Sequence, residues 1–145
     1  MVLQYLVKDA EAVKARIPSL RRLSRGFVIG DTSVIWFAFL AGDTLVVLDE
    51  TRRVEGAEEN ARYLFRAATL QYVALDRVIT GGQATPLRTR LAFGYDSAGT
   101  LVATSKNVND AAVPLDTAAD VSRIAARAYA LRTRALAVDS VRSGR

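Results

Sequence analysis

The segment from Phe27 to Glu50 sets the terms for any fold this chain can adopt. Three runs of β-forming residues, Phe27–Ile29, Ser33–Ala41 and Thr44–Glu50, are separated by Gly30-Asp31 and Gly42-Asp43. Gly-Asp between apolar runs has the composition of a two-residue hairpin turn. In the middle run Val34, Trp36, Ala38 and Leu40 alternate with Ile35, Phe37 and Phe39. Both faces of that strand are therefore apolar, and it belongs at the centre of a sheet covered on both sides.

The flanking segments read as follows. Leu3, Tyr5 and Val7 alternate with their neighbours and suggest a short first strand. Val13, Ile17, Leu20, Leu23 and Phe27 recur at spacings of four, three, three and four, the period of an amphipathic helix, with Pro18 placing a kink inside it. Ala61, Leu64, Phe65, Ala68, Tyr72, Leu75 and Ile79 predict a long central helix over 57–79 that stops at Gly81-Gly82. Pro86 opens a hairpin whose strands, 87–95 and 100–106, are joined by Asp96-Ser97-Ala98-Gly99. Residues 107–114 read as a loop. A final helix is capped at Thr117 and carries Val121, Ile124, Ala128, Leu131, Ala135 and Val138 at alternating spacings of three and four. That seam packs on the protein's own sheet or, as the alternative, forms a homodimer. The fold expected is thus α+β, a single domain over 1–140 with a flexible tail at 141–145. It has an antiparallel sheet of five or six strands packed by a long central helix and a C-terminal helix.

Composition excludes more chemistry than it suggests. The 145 residues contain no cysteine and no histidine. Thiolate catalysis, cysteine-built metal sites and the usual general base are absent. Gly81-Gly82 lacks the rest of a phosphate loop. Ser105 and Lys106 are adjacent strand residues pointing to opposite faces, as are Asp49 and Glu50. The loop Asn107-Val108-Asn109-Asp110 lacks the glycine and closing glutamate of a calcium loop. No enzyme activity, metal or cofactor is expected. The opening residues lack the basic start of a signal peptide, and no apolar run approaches the length of a membrane span. The expectation is a soluble, cytoplasmic protein.

Charge points toward binding. The formal net charge is +5. Residues 1–50 are balanced, with six basic and six acidic side chains, whereas 51–100 hold seven against five and 101–145 seven against four. Seventeen of the 20 basic residues are Arg, and Asn and Gln number three each, a bias compatible with heat adaptation or with a GC-rich genome. Arg pairs with phosphate through a planar fork. Arg88 and Arg90 share one face of a predicted strand, with Lys106 on the returning strand. Arg123, Arg127 and Arg134 fall within about 40° on the last helix, and Arg21, Arg22 and Arg25 form a third cluster. Trp36, Phe93 and Tyr95 on strands would serve as stacking platforms if the sheet exposed them. The leading expectation is sequence-tolerant nucleic-acid binding, single strands preferred, through Arg88, Arg90, Lys106, Arg123, Arg127, Arg134, Trp36, Phe93 and Tyr95. The alternatives are a homo-oligomeric scaffold using the C-terminal seam, or a small-ligand domain with a pocket ringed by Tyr63, Tyr72 or Tyr95.

Overall fold

A computed structural model describes residues 2–82 and 85–142. Its frame is an antiparallel meander of eight strands in sequence order: β1 (Arg21–Ile29), β2 (Thr32–Ala41), β3 (Thr44–Val54), β4 (Ala57–Arg66), β5 (Thr69–Ile79), β6 (Leu87–Tyr95), β7 (Leu101–Val108) and the short β8 (Ala111–Ala112). The two helices are α1 (Val2–Arg16) and α2 (Arg123–Arg142), the latter entered through a wide π-type turn at Thr117–Ser122. Among the described residues no helix is long and apolar enough to cross a membrane.

The hairpins read from Gly-Asp form as expected. Gly30 and Gly42 hold φ of 61° and 63°, and glycine at the first turn position is what a type II′ hairpin needs. The 87–108 hairpin also forms. Its turn is fixed by the Asp96 carboxylate, which accepts from the Ala98 and Thr100 amides at 2.9 Å each.

The expected five- or six-stranded sheet with a long central helix does not form. Residues 57–79 are the hairpin β4–β5. Ala61 and Phe65 share a helix face, yet in the strand they lie with Tyr63 on one buried face, so spacings of four fit both periods. The connecting turn is Ala67-Ala68, with φ of 55° and 107°. No Gly, Asn or Asp announces it. Residues 107–114 include a second such turn, Asn109-Asp110 (φ 48° and 68°), which leads into β8.

The N-terminal assignments also change. The predicted first strand is helical, part of α1. Leu3, Leu6, Ala10, Val13 and Ile17 recur at three, four, three and four, a period that the local alternation obscured. Instead of kinking a helix, Pro18 sits in a short 3-10 turn, Ile17–Ser19, that ends it. Leu23 and Phe27 therefore belong to β1. Gly81-Gly82 caps no helix. It follows β5, and Gly81 packs on the β3–β4 turn so closely that a Cβ there would lie 3.0 Å from the Gly56 Cα. In the expected tail, Val141 and Arg142 are the last turn of α2, and 143–145 lie outside the described residues.

One face of the sheet carries the main core: Trp36, Tyr63 and Phe93, fully buried, with Leu23, Leu48, Leu75 and Leu91. Helix α2 closes it with Val121, Ile124, Ala128, Leu131 and Ala135. The alanines of the seam, 0% and 1% exposed, bring the helix close to the strands. This face consumes the seam, which packs on the protein's own sheet. Opposite lies a smaller cluster, Val47, Leu64, Tyr72 and Ala103, against Ala10 and Val13 of α1 and Ile17 of the turn that follows it. The cover expected over both faces of β2 is therefore incomplete. Phe39 packs on the second cluster, Phe37 is half-buried and Ile35 is exposed.

Helix α2 crosses the strands, and four polar contacts fix its path. Lys106 Nζ on β7 donates to Asp120 at 2.9 Å, and Arg127 pairs with Glu50 of β3. The Leu70 amide donates to the Tyr129 hydroxyl at 2.9 Å, and Arg21 of β1 donates to Asp139 at 2.6 Å. The true N-cap is Asp116, one residue before Thr117; its carboxylate accepts from the Ala118 and Ala119 amides, and Asp120 returns to the Asp116 amide at 3.1 Å. The wide first turn moves that reciprocal partner from the third position to the fourth.

Left-handed backbone costs an alanine about 1 kcal/mol and a glycine almost nothing. Ala68→Gly is therefore expected to stabilise the protein by roughly that amount, measured as a rise in the urea midpoint with unchanged slope.

Candidate functional site

Register pairing places Val34, Arg52, Glu59 and Arg77 in one row across β2–β5, on the face that carries α2. The neighbouring row, Trp36, Glu50, Ala61 and Leu75, lies in the core closed by α2. The first row stays outside that core and forms the floor of a groove. Arg123, Arg127 and Arg134, which share a flank of α2, line its other side. Two adjoining cavities of about 320 and 240 Å³ make up the groove and meet at Thr32 and Arg52. The ridge expected along α2 thus exists, with Arg127 turned to the sheet and Arg123 and Arg134 exposed at the rim.

The acids of the groove are held by arginines. Glu50 is 2% exposed and accepts from the Tyr63 hydroxyl at 3.0 Å and from Arg127 Nε at 2.9 Å, with Arg127 Nη2 completing a bidentate pair. Burial, with the Glu50 charge beside it, pushes the Tyr63 phenol far above its ordinary range, so it stays a donor. Burial opposes the charge on Arg127, but Glu50 outweighs it and raises the guanidinium's pKa. Glu59 sits between Arg77, whose Nε donates at 2.7 Å, and Arg52 at 3.6 Å. Glu58 is held by Arg53 at 2.6 Å. Arg53 and Glu58 alternate onto the other sheet face, so on the α2 side the groove gathers five arginines, Arg52, Arg77, Arg123, Arg127 and Arg134, against two carboxylates, Glu50 and Glu59. Arg134 stacks over the half-buried Phe27 ring, 4.8 Å from its centroid, and Arg123 is exposed on the helix surface.

The other residues singled out from the sequence are dispersed. Trp36 and Phe93 are 0% exposed beneath α2 and cannot stack on a base. Tyr95 is half-buried, edge-on to Phe93 at 6.0 Å. Lys106 holds Asp120, so it anchors α2 rather than presenting a free cation. Arg88 and Arg90 lie on the opposite sheet face, where Arg88 grips Asp76 at 2.6 Å and 3.0 Å. There Arg90, exposed, makes no hydrogen bond to a described side chain. In the N-terminal arginine cluster, Arg21 is tied to Asp139 and the Gly42 carbonyl, and Arg22 lies over Phe37. Of the tyrosines expected to ring a pocket, Tyr63 and Tyr72 are buried at 0% and 8%.

Sequence reasoning missed Arg52, Arg77 and Glu59. Only strand pairing brings Arg52, Glu59 and Arg77 side by side, and no local spacing encodes it. No family model, no curated protein and no solved structure matches the chain.

Two solution properties follow. Removing one partner of a buried ion pair costs about 3–5 kcal/mol. Arg127→Met should lose roughly that in urea unfolding, and the double variant with Glu50→Gln should recover part of it. The hydrogen bond from Arg88 holds the Asp76 carboxyl below its ordinary range. At Asp120 burial pulls upward, yet Lys106 and the Asp116 amide prevail and lower it too. A depressed folded pKa gives stability that is present above the unfolded value and lost as pH falls through the folded one. With no histidine to titrate, the melting temperature should be flat from about pH 5.5 to 8 and fall below about pH 4.

Proposed function

We propose that this chain is a non-catalytic, sequence-tolerant nucleic-acid-binding protein that contacts phosphates along the groove between α2 and strands β1–β5. The supporting observation is the concentration of five arginines against two carboxylates in one concave strip. These carboxylates are already engaged, so the surplus charge is directed at a ligand. Arg123 and Arg134 are the outermost contacts: Arg134 donates no side-chain hydrogen bond among the described residues while its face rests on Phe27, an arrangement suited to bidentate phosphate recognition. Arg52 and Arg77 extend the strip across β3 and β5. Backbone contacts of this kind carry no sequence information, hence the tolerance. Phe27 takes the place of the buried strand aromatics as the groove's one ring for stacking. A nucleic-acid partner in turn favours a cytoplasmic location.

The test is fluorescence anisotropy with a labelled mixed-sequence single strand and its duplex, each at about 50 and 200 mM salt. Binding is expected to weaken with salt, with single strands favoured and Phe27→Ala reducing that preference. Arg123→Glu with Arg134→Glu should remove most of the affinity, whereas Arg90→Glu on the opposite face should leave it nearly unchanged. Absence of binding at the lower salt, or equal losses from the two faces, would overturn the reading.

A further inference from the structure

The sheet face opposite α2 holds a second concavity, independent of the groove. Helix α1 covers the row Val47, Leu64, Tyr72 and Ala103. One row further from it, Asp49, Arg62, Ala74, Ala92 and Ser105 are register neighbours across β3–β7, followed by Asn60, Asp76, Arg90 and Asn107. Together these rows shape a trough of about 640 Å³, within the range of small-molecule sites and larger than either of the two cavities that make up the groove. Its floor is low because Ala74 and Ala92 sit side by side on β5 and β6 with a single methyl each.

The charges of the trough decide what fits. Asp49 accepts two bonds from Arg62, both 2.7 Å, and Asp76 accepts two from Arg88. Both carboxylates are thus neutralised by bidentate pairing. Arg90 remains as the one trough cation without a hydrogen-bonded acid among the described residues. One guanidinium fork matches one planar carboxylate, whereas a phosphate dianion calls for more than one cation. Asn107, the register partner of Arg90 on β7, adds an amide at the same end. We propose that the trough binds a small, flat aromatic monocarboxylate, its carboxylate on Arg90 and its ring on the methyl floor of Ala74 and Ala92. The half-buried Phe37 closes the far end against β3.

The probe is 2-naphthoate, titrated into the full chain by calorimetry and by amide chemical-shift mapping. Saturable binding is expected, with shifts on β5–β7. Arg90→Gln should weaken it about tenfold, the worth of one charge-assisted contact, and the neutral 2-naphthalenemethanol should bind weaker by a similar factor. Ala92→Leu, which fills the floor, should abolish binding, and Arg25→Gln on the other face should change nothing. Thermal melts confirm that each variant is folded; Arg90 is exposed, so Arg90→Gln keeps the test open if Ala92→Leu fails to fold. No binding at millimolar probe, equal binding of the neutral alcohol, or full binding by Arg90→Gln would overturn the proposal. So would a dimer that Ala92→Leu dissociates, since the trough would then belong to a second copy of the chain.

Discussion

The closure of one sheet face by α2 is the contact on which the rest of the molecule depends. A single-layer meander exposes two faces, and it is stable only when enough apolar surface finds a second layer. Here Trp36, Tyr63 and Phe93 converge under a helix whose seam alternates large and small side chains, with Ala128 and Ala135 allowing close approach. The polar anchors are distributed along that helix from Asp120 to Asp139, so its angle across the strands is fixed at both ends as well as by packing. The Glu50–Arg127 pair lies midway. An ion pair in such a place contributes less to stability than to uniqueness of arrangement, because a helix shifted by one residue would leave Glu50 buried and alone.

That placement also divides the surface by chemistry. Because α2 lies over the Trp36–Glu50–Ala61 row, the adjoining Arg52–Glu59–Arg77 row becomes a floor and the arginine flank of the helix becomes a wall. The other face receives only α1, which covers one row and leaves the alternating Asp and Arg of β3–β6 open beside two alanines. Three β-bulges, at Phe39/Leu40, Leu64/Phe65 and Gly94/Tyr95, all fall at the same end of the sheet. Bulges bend strands and increase their twist, and their common position adds these effects in neighbouring hairpins. The outer edge of β1 is long, but Arg21, Arg22 and Arg25 are spaced along it, and charged side chains of this kind discourage edge-to-edge pairing.

Legibility differed by the kind of signal. The turns at Gly30, Gly42 and Gly99 were read correctly, since each of these glycines occupies positive φ at a hairpin tip. The turn at Ala67-Ala68 was not, because alanine at positive φ is imposed by the flanking strands and has no compositional mark. Leu23 and Phe27, four apart, were assigned to a helix and prove to be strand residues, since that spacing returns to the same face in both periods. The α2 arginines were placed correctly relative to one another, because 3.6 residues per turn fixes their angle whatever the helix packs against. Their counterparts Arg52 and Arg77 come from different strands, and only pairing unites them. The aromatics illustrate the reverse: Trp36 was correctly put on a strand, but which strand face a helix will cover is not a local property.

By itself, then, the sequence determined the absence of histidine and cysteine chemistry, the two Gly-Asp hairpins, the amphipathic C-terminal helix and the uneven distribution of positive charge. Each of these follows from residue identity or from a period within one element. Tertiary structure decided that the central segment is a hairpin, that Trp36 and Phe93 are core, that Lys106 anchors a helix and that Arg88 and Arg90 stand apart from Arg123, Arg127 and Arg134. The physical reason is common to all four: strand pairing and face coverage are long-range choices, made by the burial of whole rows of side chains, and a four-residue spacing or a single basic residue does not record which row it will join.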